Sequence, residues 1–440
     1  MSSRWVNVPF SPKAFPFFYG WIVLVGAVLA FIASIPGQTM GVGPFNDFLM
    51  EAWGLERTQL SFAYMVGTLI NAFMLPLAGR ACDHYGTRVM IVCSCVCLAL
   101  GLIVTSLLDR VFAGAASSTV MGMTMMTVCF LALRFFGQGC CALCSRVALG
   151  KWFNHRRGLA TAVAGIFTSL AFSLSPQVVN WLIDGQGWRE AMWILAGIVG
   201  VVLSIVSGLI FRDNPEECGL LMDGVPPETF EGTQQAKVME TVKEFTRAEA
   251  IRTWAFWAVT LAPALHGLIS TAYTFHAGDI GRPFGLTRDE VFAIFFPMSF
   301  VAIPVGFIGG WISDRTKIKY ILMVFLVAET IGNFGLFSFG HEWGRWMIIV
   351  GWGVAGGLWG TLLTISFPRF FGRDHLGAIS GVNMSMLVAG SAVGPILFSA
   401  LRDLTGSYAA PALLGVIAPI LLLLVSFRVI NPQESLKSES

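Results

Sequence analysis

The sequence predicts an all-α membrane protein, with twelve transmembrane helices in two six-helix bundles. Three observations predict it: too little charge for a soluble surface, twelve apolar runs, and an internal repeat that divides them six and six. Charged residues make up 12% of the 440 and hydrophobic ones 55%, with mean hydropathy +0.71. A soluble domain carries about 25% charged residues. The formal net charge of +2 gives no reason to expect a nucleic-acid partner. The start, Met1 to Pro16, is polar and contains prolines, so no cleavable signal peptide is expected.

A spanning helix needs about 20 apolar residues. Such runs cover about 17–45, 58–81, 87–108, 118–147, 157–183, 189–211, 253–278, 289–312, 318–339, 345–367, 376–401 and 408–430. The first is interrupted by Ile35-Pro36-Gly37-Gln38-Thr39-Met40-Gly41-Val42-Gly43, where Pro, Gly and two polar side chains disturb a helix. The fourth carries Arg134, the seventh His266, and the tenth is unusually rich in Gly. Residues 212–252 are polar, with Pro226-Pro227 and the charged stretch Glu231 to Glu249. They predict a linker, with one surface helix near Lys237–Ala250. The expected domains are therefore 1–211, the linker 212–252, and 253–440.

Orientation follows from Lys and Arg placement. With the N-terminus inside, 20 of the 28 basic residues fall on the cytoplasmic side and 7 opposite, with Arg134 alone in mid-run. Both termini are then cytoplasmic. The repeat is also direct. Gly158, Pro176, Asp184 and Gly187 recur with the same spacings as Gly377, Pro395, Asp403 and Gly406. Parallel repeats of this kind occur in transporters built from two six-helix halves.

Between the second and third runs lies Gly79-Arg80-Ala81-Cys82-Asp83-His84-Tyr85-Gly86-Thr87-Arg88, and Gly310-Trp311-Ile312-Ser313-Asp314-Arg315 echoes it. A carboxylate near a helix N-terminus meets favourable partial charge and nearby arginines. The G-x-x-x-D-x-x-G-x-R spacing resembles the signature loop of the major facilitator superfamily. The resemblance implies a gate at Gly79, Asp83, Gly86, Arg88, Asp314 and Arg315, whereas positive charges alone would serve only as topological anchors. It further implies a multi-pass monomer in a bacterial inner (plasma) membrane, with the lipid bilayer as its surroundings and no cofactor.

Ionisable side chains within a bilayer span are functional candidates. Arg134 opens Arg134-Phe135-Phe136-Gly137-Gln138-Gly139, which resembles the superfamily's helix-4 motif R-x-x-x-Q-G. There the arginine faces the cavity or supports proton coupling; the plainer role is a bond to helix-end carbonyls. His266 titrates near neutral pH when unperturbed and is a candidate for solute or proton contact, or a packing histidine. Glu329 is a proton-site candidate or a bonded structural carboxyl. The superfamily's cavity-lining helices 1, 4, 7 and 10 correspond here to Gln38 and Thr39, Arg134 and Gln138, His266 and Tyr273, and Trp352 and Trp359. Asn383, Gln177 and Asn180 complete the polar candidates. Met121, Met123, Met125 and Met126, with Cys140, Cys141 and Cys144, offer soft-metal donors such as copper would take, or simply apolar filling.

Further stretches are similar to the branch containing monocarboxylate transporters and oxalate/formate antiporters: Phe18-Tyr19-Gly20-Trp21, Gly54-Leu55-Glu56-Arg57-Thr58-Gln59-Leu60-Ser61, and Asn214-Pro215-Glu216-Glu217-Cys218-Gly219-Leu220. That branch usually places an Arg deep in helix 8, and its oxalate type adds a Lys in helix 11. Here Phe292 to Ile312 has no Arg and Gly377 to Leu401 no Lys. A buried dianion would lack counter-charge, which argues against oxalate. The expected function is secondary active transport, by alternating access, of a small organic solute. A monocarboxylate or related anion moved as a proton symport comes first, a neutral aromatic such as riboflavin second, and copper third. No P-loop, H-E-x-x-H or nucleophile–base arrangement supports an ATPase or another enzyme.

Overall fold

The computed structural model describes residues 7–112, 118–153, 157–224, 243–313, 316–372, 376–429 and 431–434. Every regular element in them is helical. Among the described residues, twelve helices are long and apolar enough to cross a membrane. They are α1 (Gly20–Gly37), α2 (Arg57–Leu75), α3 (Thr87–Val111), α4 (Thr119–Leu149), α5 (Ala162–Gln186), α6 (Trp188–Ile210), α7 (Trp254–Phe275), α8 (Arg288–Ser313), α9 (Ile318–Phe337), α10 (Glu342–Leu363), α11 (Val382–Thr405) and α12 (Ala409–Ser426). Helical backbone continues beyond α2 to Tyr85 and beyond α10 to Phe371. The chain packs as two compact units, Met1–Glu231 and Gly232–Ser440. The first holds α1–α6 and the second α7–α12.

Large apolar side chains are widely exposed, among them Phe73, Trp181, Phe300, Trp311 and Leu421. On a water-soluble protein this would be a liability; on a spanning helix it is the face turned to lipid. The second unit's core gathers Phe256, Phe325, Phe367 and Phe371.

The first apolar run is not one helix. It ends at Ala33 and continues as a 3-10 turn Ile35–Gly37, one α turn Thr39–Val42, and a second 3-10 turn Gly43–Phe45. Pro36 and Pro44 stand at the first turns of the two 3-10 pieces, where a missing N–H costs least. The break falls where the sequence predicted it. Within α4, residues Arg134–Cys141 form a π-helix; such bulges gather at functional sites. The expected surface helix near Lys237–Ala250 is a single turn, Arg247–Ala250, closed by a capping box between Thr246 and Glu249. Its residues 237–242 lie outside the described ones.

The repeat is a repeat of backbone shape. Pro176 and Pro395 lie inside equivalent helices. Gly187 and Gly406 follow those helices with φ of 96° and 76°, a region costly for any residue with a Cβ.

Candidate functional site

In the first unit the site begins where the α1 break meets the π segment of α4. Two glycines allow the backbones to touch. A Cβ on Gly37 would lie 2.1 Å from the Leu133 carbonyl oxygen, and one on Gly137 would lie 2.7 Å from the Gly37 Cα. This contact places Thr39 beside Arg134. Arg134 is 1% exposed. Its Nη1 donates to Thr39 Oγ1 at 3.4 Å, and its Cζ stands 5.1 Å from the centre of the Tyr64 ring. The Tyr64 and Thr39 hydroxyls share a 2.8 Å bond. Gln38, the neighbour of Thr39, donates to Ser34 Oγ at 3.2 Å.

Tyr64, Thr68 and Asn71 recur on α2 at i, i+4 and i+7, one helix face. A Cβ on Gly139 of the π segment would come 3.1 Å from Asn71 Oδ1, so this face packs on α4. Thr68 Oγ1, both polar atoms of Asn71, and Gln138 Oε1 are buried with no hydrogen-bond partner among the described residues. Buried polar groups without partners are rare and costly.

The second unit holds a different constellation. His266 Nδ1 on α7 is 2.8 Å from Glu329 Oε2 on α9. The Glu329 side chain is fully enclosed, while that of His266 is 16% exposed. Glu329 Oε1 accepts from Asn333 Nδ2 at 3.3 Å, which also donates to the Gly415 carbonyl at 2.7 Å. Trp352 Nε1 donates to Asn333 Oδ1 at 2.9 Å. The rings of Phe325, Trp352 and Trp359 surround His266 at 6.1–6.5 Å between centroids. Trp359 Nε1 is buried without a partner among the described residues. A Cβ on Gly332 would lie 2.2 Å from Trp352 Cδ1, so this glycine makes the room the indole fills. Much of the glycine run of α10 serves packing: Gly351 abuts α9, and Gly353 and Gly357 abut α8.

The sequence candidates thus divide between the units. Gln38, Thr39, Arg134 and Gln138 gather in the first; His266, Trp352 and Trp359 gather in the second. Tyr273 is enclosed, donating to the Val291 carbonyl at 3.1 Å and packed on Trp352. Asn383 is 3% exposed, and its Oδ1 has no partner among the described residues. Tyr64, Thr68 and Asn333 were not singled out from sequence as site residues. A tyrosine, a threonine and an asparagine in apolar runs look like packing until their neighbours are known.

At the signature loop, Gly86 alone separates the helix ending at Tyr85 from the one starting at Thr87. Its φ is 86°, and a Cβ would meet the Asp213 carboxylate at 2.4 Å. Asp213 Oδ1 accepts from Thr87 Oγ1 at 2.8 Å and from the Arg88 amide at 3.2 Å, capping α3. Arg88 donates through Nε to the Gly208 carbonyl and through Nη2 to that of Val8. Gly79 has open space where a Cβ would stand. The Asp83 side chain, Asp314 and Arg315 lie outside the described residues. Among the described residues, no group of three His, Cys, Asp or Glu side chains is arranged to hold a metal ion.

The chain resembles known transporters in sequence and in fold. It is 26% identical to monocarboxylate transporter 6 of Mus musculus over 216 residues, 47% of this chain and 43% of that protein. The match thus spans less than half of the mouse protein's length. It is 23% identical to a probable sulfoacetate transporter of Cupriavidus necator over 401 residues, 89% of this chain and 81% of that one. The crystal structure of a bacterial homologue of the human lysosomal transporter Spinster superposes with a TM-score of 0.61 at 15% identity, covering 93% of this chain and 95% of that one. The model of the Major Facilitator Superfamily matches residues 22–395. With that match and twelve spanning helices, the chain belongs to the Major Facilitator Superfamily and is a multi-pass membrane transporter of small solutes, not an enzyme.

Proposed function

We propose that this transporter carries a monocarboxylate or related organic anion together with protons, by alternating access, with both termini in the cytoplasm. One observation carries the reading: the buried Arg134 cation beside the unpartnered row Thr68, Asn71 and Gln138. The 3.4 Å contact to Thr39 is longer than a good hydrogen bond. A carboxylate replacing it would gain a charge-assisted, fork-shaped partner. The names of the two relatives, a monocarboxylate and a sulfoacetate transporter, agree with an organic acid. A titratable pair, His266 and Glu329, supports proton coupling.

The test is uptake of radiolabelled lactate, pyruvate and riboflavin into proteoliposomes by wild type and Arg134→Ala. Removing one partner of a buried charged contact costs ~2–5 kcal/mol. Lactate or pyruvate uptake is expected to fall by tens to thousands of fold. Near-normal uptake of either acid in the variant overturns the reading.

A second reading has its own observation. The ring cluster around His266, with the unpartnered Trp359 N–H, suits a neutral aromatic solute. Riboflavin uptake that survives Arg134→Ala and is lost in Trp359→Ala would establish that alternative.

A further inference from the structure

We propose that His266 and Glu329 form the site that binds and releases the transported proton, and that the proton exchanges at His266 Nε2. This rests on the proton-coupled reading above and names where the coupling resides. The argument runs outward from Trp352. An indole N–H can only donate, so the atom of Asn333 facing it at 2.9 Å is Oδ1. The Asn333 amide group is therefore turned toward Glu329 Oε1 and the Gly415 carbonyl. It donates to both, so Glu329 Oε1 is held as an acceptor. Any proton within the pair then lies between Glu329 Oε2 and His266 Nδ1, in the 2.8 Å contact.

With Nδ1 occupied, Nε2 is the ring atom left to gain or lose a proton. No hydrogen bond to it is found among the described residues, and His266 keeps 16% of its side chain exposed while Glu329 keeps none. The imidazole is the exchangeable end and the carboxylate its fixed anchor. Without the second proton the pair carries net charge −1; with it the pair is neutral and Nε2 becomes a donor. The protonated pair then presents His266 Nε2–H and Trp359 Nε1–H as hydrogen-bond donors and no longer repels an anion. By reciprocity, an anionic solute that meets these donors favours protonation of the pair, the coupling that symport needs.

The elements packed around the pair add little other charge. On α7, Tyr273 is enclosed, with Arg345 of α10 acting on it electrostatically. On α10 the facing groups are indoles, α12 contributes the Gly415 carbonyl, and Gly267 faces the Leu387 carbonyl of α11.

Two measurements on the full chain test the proposal. In the first, histidine-labelled protein in detergent is titrated by NMR, with the His266 signal identified by its loss in His266→Gln. The signal is expected to move with pH. In Glu329→Gln that movement should change, because the carboxylate that meets the ring at 2.8 Å is gone. A signal that ignores pH, or one that Glu329→Gln leaves unchanged, overturns the proposal without reference to any solute. In the second, lactate flux is measured in proteoliposomes. Glu329→Gln should lose proton-driven accumulation at least tenfold more than it loses lactate counterflow, and Glu329→Asp, which retains a carboxylate, should restore part of the accumulation. Equal losses in both modes overturn the proposal. Absence of lactate flux in wild type instead counts against the solute reading, and the titration still decides the pair.

Discussion

The two units bury opposite charges and treat them differently. In the first, Arg134 makes a long contact to a hydroxyl and lies over the face of a ring, and polar atoms of Thr68, Asn71 and Gln138 have no hydrogen-bond partner among the described residues. In the second, Glu329 has both oxygens engaged, and the amide that holds it is saturated in turn by Trp352 and Gly415. A buried network is worth most when every member is satisfied. The contrast teaches that a duplicated scaffold need not carry duplicated chemistry: the two sites differ in sign, in helix and in how complete they are.

The sharpest way to break this comparison is to open the closed network. Asn333→Leu strands the Trp352 N–H, Glu329 Oε1 and the Gly415 carbonyl at once. At ~1–3 kcal/mol for each buried group left unmade, it should lower thermal stability in detergent more than any change beside Arg134. Next comes Gly137→Ala, which drives a methyl against the Gly37 backbone at 2.7 Å. Overpacking of this kind costs ~1–3 kcal/mol. Gly165→Ala, with nothing within 4 Å, is the control expected to leave the melting temperature unchanged. Tyr64→Phe removes the 2.8 Å hydroxyl bond to Thr39 and keeps the ring near the guanidinium, so a loss of about 1 kcal/mol is expected. If Tyr64→Phe destabilises as much as Asn333→Leu, the two sites do not differ as described.

The smallest effect lies outside the spans. The Lys243 ammonium beside Glu249, with hydrogen bonds from Thr246, lowers its carboxyl to about 2 from the ordinary 4.5. A depressed carboxyl contributes stability above its ordinary value and loses it as pH falls toward the folded value. Melting curves of wild type and Glu249→Gln should therefore differ slightly at neutral pH and converge between pH 4.5 and about 2. Because the pair is on the surface, raised salt should shrink the difference.

Fold and site were unequally legible in the sequence. Twelve runs, the break after Ala33 and the repeated Pro and Gly positions all follow from solvent and backbone chemistry, which act locally. Arg134 and His266 stood out for a related reason, since charge in an apolar run is conspicuous. Their pairings did not. Tyr64 lies 70 residues from Arg134 in the chain, and only the packing of α2 on α4 brings it into contact; Glu329 was conspicuous as a charge, but that it meets His266, 63 residues away, follows only from the packing of α9 on α7. The π segment was hidden too. Nothing in Arg134-Phe135-Phe136-Gly137-Gln138-Gly139 states that the hydrogen-bond ladder will slip by one.

That slip has a consequence for how the gene can change. A π turn holds one residue more than the α turn it replaces. Deleting a single residue between Arg134 and Cys141 would repair the ladder and improve α4 as a helix. Because the wider turn already absorbs that extra residue, everything beyond the deletion would keep its face, and Ser145, whose hydroxyl donates to the Ala27 carbonyl at 2.7 Å, would still meet α1. What the deletion changes is the segment itself, where the register between Arg134 and Gln138 is set.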